Sequence, residues 1–306
     1  LLMSVLVFGS LNLDLVTYAD KLPAIGETIV GEKLLKFPGG KGLNQAIAAR
    51  RAGSEVLMVG SIGNDADGDY LFDILKSENI DPKFITKTSE QTGIAVIEVS
   101  KSAENRIIII AGANSKTRFS NEVLTSSPSV TVSLAQLETP IAEVAKFIHE
   151  SKAAGKITIL NPAPIQKLDQ QLLQDTDYLI ANETEASFLI GSAVEHLSKD
   201  EALTIARQLQ KNGSKKVIIT LGEQGSVYLD QEKELFTPAY KVKAVDTTAA
   251  GDAFCGAFAT AISENKPVEY ALKFASAAGG LAATKAGAVP SLPTQQEILS
   301  MFTSLD

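Results

Sequence analysis

The sequence predicts an α/β fold: a mostly parallel central sheet with helices on both faces, plus a small β-sheet lid. Three observations carry this. Apolar runs of strand length alternate with longer helical patterns along most of the chain, the signature of stacked βαβ units. The strand runs are almost continuously apolar, as strands covered on both faces must be. Two segments, about 14–37 and 93–110, break that rhythm with alternating stretches and polar turns, and together read as one extra sheet inserted in a single domain spanning 1–306.

Central strands are expected at Ser4 to Gly9, Glu55 to Ser61, Val130 to Leu137, Lys156 to Leu160, Tyr178 to Ala181 and Lys216 to Leu221, each an apolar run. Helical patterns fall between them, at Lys41 to Ala52, Gly68 to Glu78, Ile141 to Ala154, Glu183 to Ile190 and Asp200 to Lys211. The Thr139-Pro140 pair reads as N-cap and first residue of the third of these. Beyond them an antiparallel pair, Ser226 to Leu229 and Glu234 to Pro238, leads to helices at Ala250 to Ser263, Val268 to Ala283 and Thr294 to Phe302. In the lid, Thr28, Val30, Glu32 and Leu34 alternate as a strand, and Gly93 to Ile110 reads as two strands around the turn Lys101 to Asn105.

Composition removes several function classes. A net charge of −8 and no basic run longer than two residues argue against nonspecific nucleic-acid binding. The longest charge-free run, Val123 to Leu137, contains Pro128 and is too short for the ~20 residues of a membrane span. The opening Leu1-Leu2-Met3-Ser4 lacks the basic start of a secretory signal, so a cytoplasmic location is expected. Cys255 has no partner cysteine, and with His149 and His196 alone a Cys/His zinc site has too few ligands. The G-x-x-x-x-G-K-[ST], G-x-G-x-x-G and G-x-S-x-G motifs are absent.

The most informative stretch runs from Val245 to Phe254. Small residues and Gly251 open a long helix there, so unpaired N–H groups and the positive helix end face whatever lies in front. Asp252, in the first turn, could take a proton from a hydroxyl while those N–H groups stabilise a transferring phosphoryl group. The same residues also read as a plain helix start capped by Asp246, Thr247 and Asp252. Gly39-Gly40-Lys41-Gly42-Leu43-Asn44-Gln45 is a glycine turn feeding a helix, able to bring backbone N–H groups and Asn44 against a polyhydroxylated ligand. Asn12 and Asp14 follow the first strand, at the carboxyl edge where open α/β sheets bind ligands, and Glu138 ends another strand.

With these residues in place the sequence resembles the ribokinase-type sugar kinases of the large carbohydrate and nucleoside kinase family. The resemblance spans nearly the whole chain. It is carried by Gly9 to Asp14, Pro38 to Gln45, Ala111 to Asn114, Gln136 to Pro140, Asn161 to Pro164, Asn182 to Ala186, Thr220 to Gly222 and Asp246 to Asp252. It implies ATP-dependent phosphorylation of D-ribose at its 5-hydroxyl, with 2-deoxyribose, fructose or a nucleoside as alternative acceptors and a noncatalytic sugar sensor as the rival class.

Position by position, the resemblance implies that Asp252 is the base and that Ala249, Ala250, Gly251 and Asp252 form the anion hole. Asn12, Asp14, Gly40, Lys41, Gly42, Asn44 and Glu138 would hold the sugar. Asn182 and Glu185 would organise Mg2+ through water, although the same pair reads as a helix cap with Glu at its third position. Thr220, Leu221, Gly222, Glu223, Gln224, Gly225, Gly251 and Ser276 would line the ATP site. A K+ site would use Asp246, Thr248, Ala282, Lys285, Gly287 and Ser291, mostly through backbone carbonyls. A homodimer through the lid is implied as well. Cys255 reads as core packing.

Overall fold

Alternate residues of the first strand, β1 (Ser4–Phe8), point to opposite sides: Val5 and Val7 enter one hydrophobic core, Leu6 and Phe8 another. A strand buried on both faces in this way needs helices on both. The computed structural model describes residues 3–102, 104–194 and 196–303. The expectation built on Leu1-Leu2, one residue of the lid turn at 103 and the end of the chain at 304–306 lie outside them.

Two strands follow β1 into a separate small sheet, β2 (Asn12–Ala19) and β3 (Lys33–Gly39), before the chain returns through β4 (Glu55–Gly63) and the edge strand β5 (Ile85–Thr88). The small sheet is completed by β6 (Gly93–Ser100) and β7 (Asn105–Ile110) in the order β3-β2-β6-β7. Its pairs β2/β3 and β6/β7 are antiparallel and β2/β6 is parallel. The central sheet then gains β8 (Val130–Ala135), β9 (Ile157–Leu160), β10 (Tyr178–Asn182), β11 (Lys216–Thr220), β12 (Gly225–Leu229) and β13 (Glu234–Pro238). Its nine strands run β13-β12-β11-β10-β9-β8-β1-β4-β5, parallel from β11 through β5, with β12 and β13 antiparallel at one edge.

One face is covered by α1 (Lys41–Arg51), α2 (Ala66–Ser77), α8 (Ala250–Ser263), α9 (Val268–Ala283) and α10 (Gln295–Thr303). The other carries α3 (Glu122–Thr125), α4 (Ile141–Ala153), α5 (Gln170–Asp175), α6 (Glu183–Leu189) and α7 (Lys199–Lys211). Fully buried side chains such as Phe8, Leu6, Met58 and Phe258 each contribute about 1.5–3 kcal/mol of transfer free energy to this arrangement.

The topology fixes where a ligand can sit. β1 lies between β4 and β8, so the chain leaves it first toward one side of the sheet and later toward the other. Such a reversal opens a crevice at the carboxyl ends of the strands. The small sheet grows from this point: three residues separate the end of β1 from the start of β2, and β3 runs through Gly39 into α1.

Two local expectations are corrected. The alternation from Thr28 to Leu34 is not a strand; β3 starts at Lys33, and Val30 is 94% exposed because no neighbouring strand meets it. Alternation without a partner does not make a sheet. Pro140, not Thr139, is the N-cap of α4, and no side chain caps that helix. Asn12 and Asp14 follow β1 as expected and stand within β2, paired with Gly39 and Phe37 of β3.

Candidate active site

The glycine turn before α1 is shaped by close backbone approach. Gly40 has φ +91°, a left-handed conformation that disfavours any side chain. A Cβ on Gly42 would lie 2.4 Å from the Ser10 nitrogen, so only glycine lets α1 start against the end of β1. The contact is closed by hydrogen bonds from Leu43 N to Ser10 O (2.9 Å) and from Gly42 N to Ser10 Oγ (3.2 Å). Ser10 Oγ in turn donates to Glu138 Oε2 at 2.5 Å, and Lys41 N donates to the same oxygen at 2.9 Å. Glu138, just past β8, is thereby fixed against the α1 turn.

Asn12 is buried and its carbonyl accepts from Asn114 Nδ2 at 2.7 Å. Asn114 also receives Leu11 N (2.9 Å) and donates to Leu11 O (3.1 Å), clamping the chain where it leaves for the small sheet. Asp14 is buried beside them. Burial, with Glu138 and Asp252 nearby, raises its carboxyl from an ordinary 3.8 to about 7.

Asp252 enters the same space from the first turn of α8 and is 5% exposed. Its Oδ2 accepts from Asn44 Nδ2 and its Oδ1 from Gln45 Nε2, each at 2.9 Å. Asn44 Oδ1 is buried with no partner within the protein. No side chain caps α8. Ala250 N is taken by Thr247 O at 3.1 Å, which removes it from the expected anion hole, whereas no acceptor among the described residues meets the N–H groups of Gly251 and Asp252. Gly251 faces open space, since a Cβ there would meet nothing within 4 Å. The plain reading of Asp246, Thr247 and Asp252 as side-chain caps of this helix is therefore not what the structure has.

Lys41 joins the two halves of the site. Burial disfavours its charge, but Asp252, Glu138 and Glu185 outweigh that and push its pKa up. Glu185 is also buried, which raises its carboxyl despite the Asn182 N–H and Lys41. It closes a full capping box with Asn182: Glu185 N to Asn182 Oδ1 at 2.8 Å, and Asn182 N to Glu185 Oε2 at 2.9 Å. Cys255 is buried and its thiol pushed well up, in keeping with core packing.

The Thr220 to Gly225 turn follows β11, with Leu221 N donating to Gly225 O at 2.8 Å. Gly222 (φ +56°) borders open space. Leu221 itself packs into the core and the Gln224 amide donates to Leu197 O at 3.2 Å, so these two offer backbone rather than side chain. Glu223 is exposed, and Ser276 is half-buried on α9.

The residues expected around K+ are laced together. Asp246 accepts from Thr248 N (2.9 Å), from Thr248 Oγ1 and from Gly287 N (2.9 Å). Burial would raise its carboxyl, but these hydrogen bonds outweigh burial and hold it low. Val245 N and Asp246 N both reach Ala283 O, and Lys285 N reaches Ala282 O. Ser291 Oγ donates to Ala288 O at 2.7 Å. The Lys285 ammonium is drawn off to Glu297 at 2.9 Å, leaving an oxygen-rich loop pair.

Buried carboxylates, a glycine turn and an open helix start thus share the crevice at the switch point. The model of the pfkB family carbohydrate kinases matches residues 3–295. The chain belongs to this family. It is 39% identical over 301 residues to a ribokinase of Haemophilus influenzae, covering 97% of each chain. It is 33% identical over 299 residues to a deoxyribokinase of Salmonella typhi, covering 96% of this chain and 97% of that one. Among solved structures it is similar to Arabidopsis thaliana ribokinase complexed with ribose and ATP, at a TM-score of 0.91, 31% identity and 99% coverage of both chains. The shared fold places a pfkB kinase's central sheet and small sheet as described above.

Sequence reasoning passed over Ser10, Gln45, Asn114, Gln136 and Asn161 as functional residues. All stand in the stretches that carry the family resemblance, but their roles depend on contacts made across the fold.

Proposed function

We propose that this pfkB kinase transfers the γ-phosphoryl group of ATP to the 5-hydroxyl of D-ribose, giving ribose 5-phosphate and ADP. The observation that carries the reading is Asp252: a buried carboxylate at the start of an uncapped helix, beside Asp14, Asn44 and Glu138. Both Asp252 oxygens hold one amide donor, and a carboxylate has room for further hydrogen bonds, so one oxygen can take the hydroxyl proton. The O5–phosphorus bond forms as the bond from the γ-phosphorus to the bridging oxygen breaks. The N–H groups of Gly251 and Asp252 meet the charge that develops on the phosphoryl oxygens. Asn12, Asp14, Asn44 and Glu138 hold the sugar, and the unpartnered Asn44 Oδ1 is an acceptor that a sugar hydroxyl would satisfy. The small sheet is read as the lid that excludes water.

Glu185 and Asn182 fit a Mg2+ held through water, because their capping box leaves Glu185 one carboxylate oxygen beyond it. When bound, Mg2+ neutralises phosphate charge. Asp246, Ser291 and the carbonyls of Thr248, Ala282, Lys285 and Gly287 supply the hard oxygen set a K+ ion takes. Replacing K+ with Na+ at matched ionic strength is expected to lower ribose-dependent ADP release several-fold. Equal rates in K+, Na+ and a bulky organic cation would remove the ion from the account. ADP release that does not depend on added ribose would overturn the sugar-kinase reading itself.

A pH dependence follows from Asp14. A carboxyl raised to about 7 is favoured in its protonated form, so folding stability from it is present at low pH and is lost as pH rises through 7. Accepting sugar hydroxyls at both carboxylate oxygens needs the ionised form, about 10% populated one unit below that value and about 90% one unit above. KM for ribose is therefore expected to fall roughly ninefold from pH 6 to pH 8, and a flat profile in KM would remove Asp14 from sugar binding.

The family reading also gives a homodimer through the small sheet. Ile107, Ile108, Ile109 and Ile110 line its edge strand β7 and are all exposed, an apolar edge that a second copy would cover. A monomer in sedimentation equilibrium at micromolar concentration would rule this out. Use of ATP fits a cytoplasmic location, which cell fractionation checks.

A further inference from the structure

Beneath the site lies a set of buried amides that neither the sugar nor the nucleotide touches in the reading above. Gln45 is fully buried on α1 and uses both N–H donors of its amide and one acceptor site of its carbonyl oxygen. Its Nε2 donates to Asp252 Oδ1 (2.9 Å) and to Asn161 Oδ1 (3.0 Å), and its Oε1 accepts from Gln136 Nε2 (2.7 Å). Asn161 is anchored by donating to Ile180 O on β10 at 2.9 Å, and Gln136 follows β8. Asn161, held to β10, thus dictates which way Gln45 points, and Gln136, whose own Oε1 has no partner, adds a second contact from the end of β8. A flipped amide would set its carbonyl against the carboxylate of Asp252.

We propose that Gln45 is a positioning residue for the catalytic base: it transmits the rigidity of β8 and β10 to the Asp252 carboxylate and fixes its rotation. Asn44 cannot do this alone, because its other amide atom, Oδ1, has no anchor in the protein. A carboxylate held by one donor can rotate about its last bond. Polar groups buried at this depth are costly to desolvate, so a three-bond amide network is kept where its geometry matters. This inference rests on the proposed role of Asp252.

The test uses Gln45→Met, which keeps length and volume but makes none of the three bonds, alongside Asp252→Asn and the double variant. With the sugar that the wild-type protein turns over best, Gln45→Met is expected to lower kcat about 10²-fold, the scale of misplacing a reacting group by about 1 Å, with KM for the sugar changed less than about threefold. In the Asp252→Asn background the same change is expected to have almost no further effect on kcat. Losses that multiply in the double variant, or a loss confined to KM, would overturn the positioning role. Wild-type kcat in Gln45→Met with Asp252→Asn inactive would overturn it while sparing the base, whereas an active Asp252→Asn would sink the base assignment first. Should Gln45→Met fail to fold, Gln136→Met removes the contact to Gln45 Oε1 and leaves both Asp252 donors in place. It is then expected to lower kcat about threefold to tenfold at unchanged KM, and wild-type kcat there would count against the proposal.

Discussion

Asp252→Asn is expected to lower kcat by about 10²- to 10⁴-fold, the usual worth of a general base, while sugar and ATP still bind. The structure also says why the protein should stay folded. An asparagine at 252 presents one carbonyl and one amide to two donors, Asn44 Nδ2 and Gln45 Nε2. Gln45 is fixed by Asn161 and Gln136 and keeps the carbonyl. Asn44 is free to flip, because its Oδ1 has no partner and can accept from the new amide. Both contacts survive, and the melting temperature should move little. A folded Asp252→Asn protein with near wild-type turnover would leave the site without its base.

Ribose is expected to exceed 2-deoxyribose in kcat/KM by about tenfold to a hundredfold. Exclusion of water sets the scale. Asp14, Asn12 and Asn44 are buried, and a sugar hydroxyl that satisfies them cannot be replaced cheaply when it is missing. An unpaired buried acceptor costs about 1–3 kcal/mol, which is the stated range in kcat/KM. Asp14→Ala should slow ribose far more than deoxyribose and erase most of the preference. Fructose, with an extra hydroxymethyl group, should fare worse than ribose on steric grounds. Equal efficiency with ribose and 2-deoxyribose would move the substrate assignment to a different sugar while leaving the kinase chemistry of the site intact.

The parts of the fold legible in the sequence were those whose signal is local. Central strands such as Val130–Ala135 and Tyr178–Asn182 are buried along nearly their whole length and read as predominantly apolar runs. The helices Ala250–Ser263 and Val268–Ala283 were readable to the residue. β5, Ile85–Thr88, was missed because a four-residue edge strand with two exposed positions carries almost no pattern. Val30 misled because alternation was present without a partner strand. At the site, Asp252, Asn44 and Glu138 were readable as polar residues next to glycines and helix starts. Gln45, Gln136 and Asn161 were not, because each looks like an ordinary polar residue until the fold brings together positions 91 to 207 residues apart. Ala250 shows the reverse: its N–H counts as free in a sequence and is spent on Thr247 O in the fold.

Transfer of a phosphoryl group from ATP to the 5-oxygen of ribose, dependent on Asp252, leaves a product with a distinct phosphorus signal. Phosphorus NMR of a reaction containing the protein, ribose, ATP, Mg2+ and K+ follows that transfer directly. The account requires a phosphomonoester resonance, coupled to the protons on carbon 5, that grows in step with ADP and is nearly absent with Asp252→Asn. Free phosphate growing in step with ADP, or a product esterified at carbon 1, would contradict it.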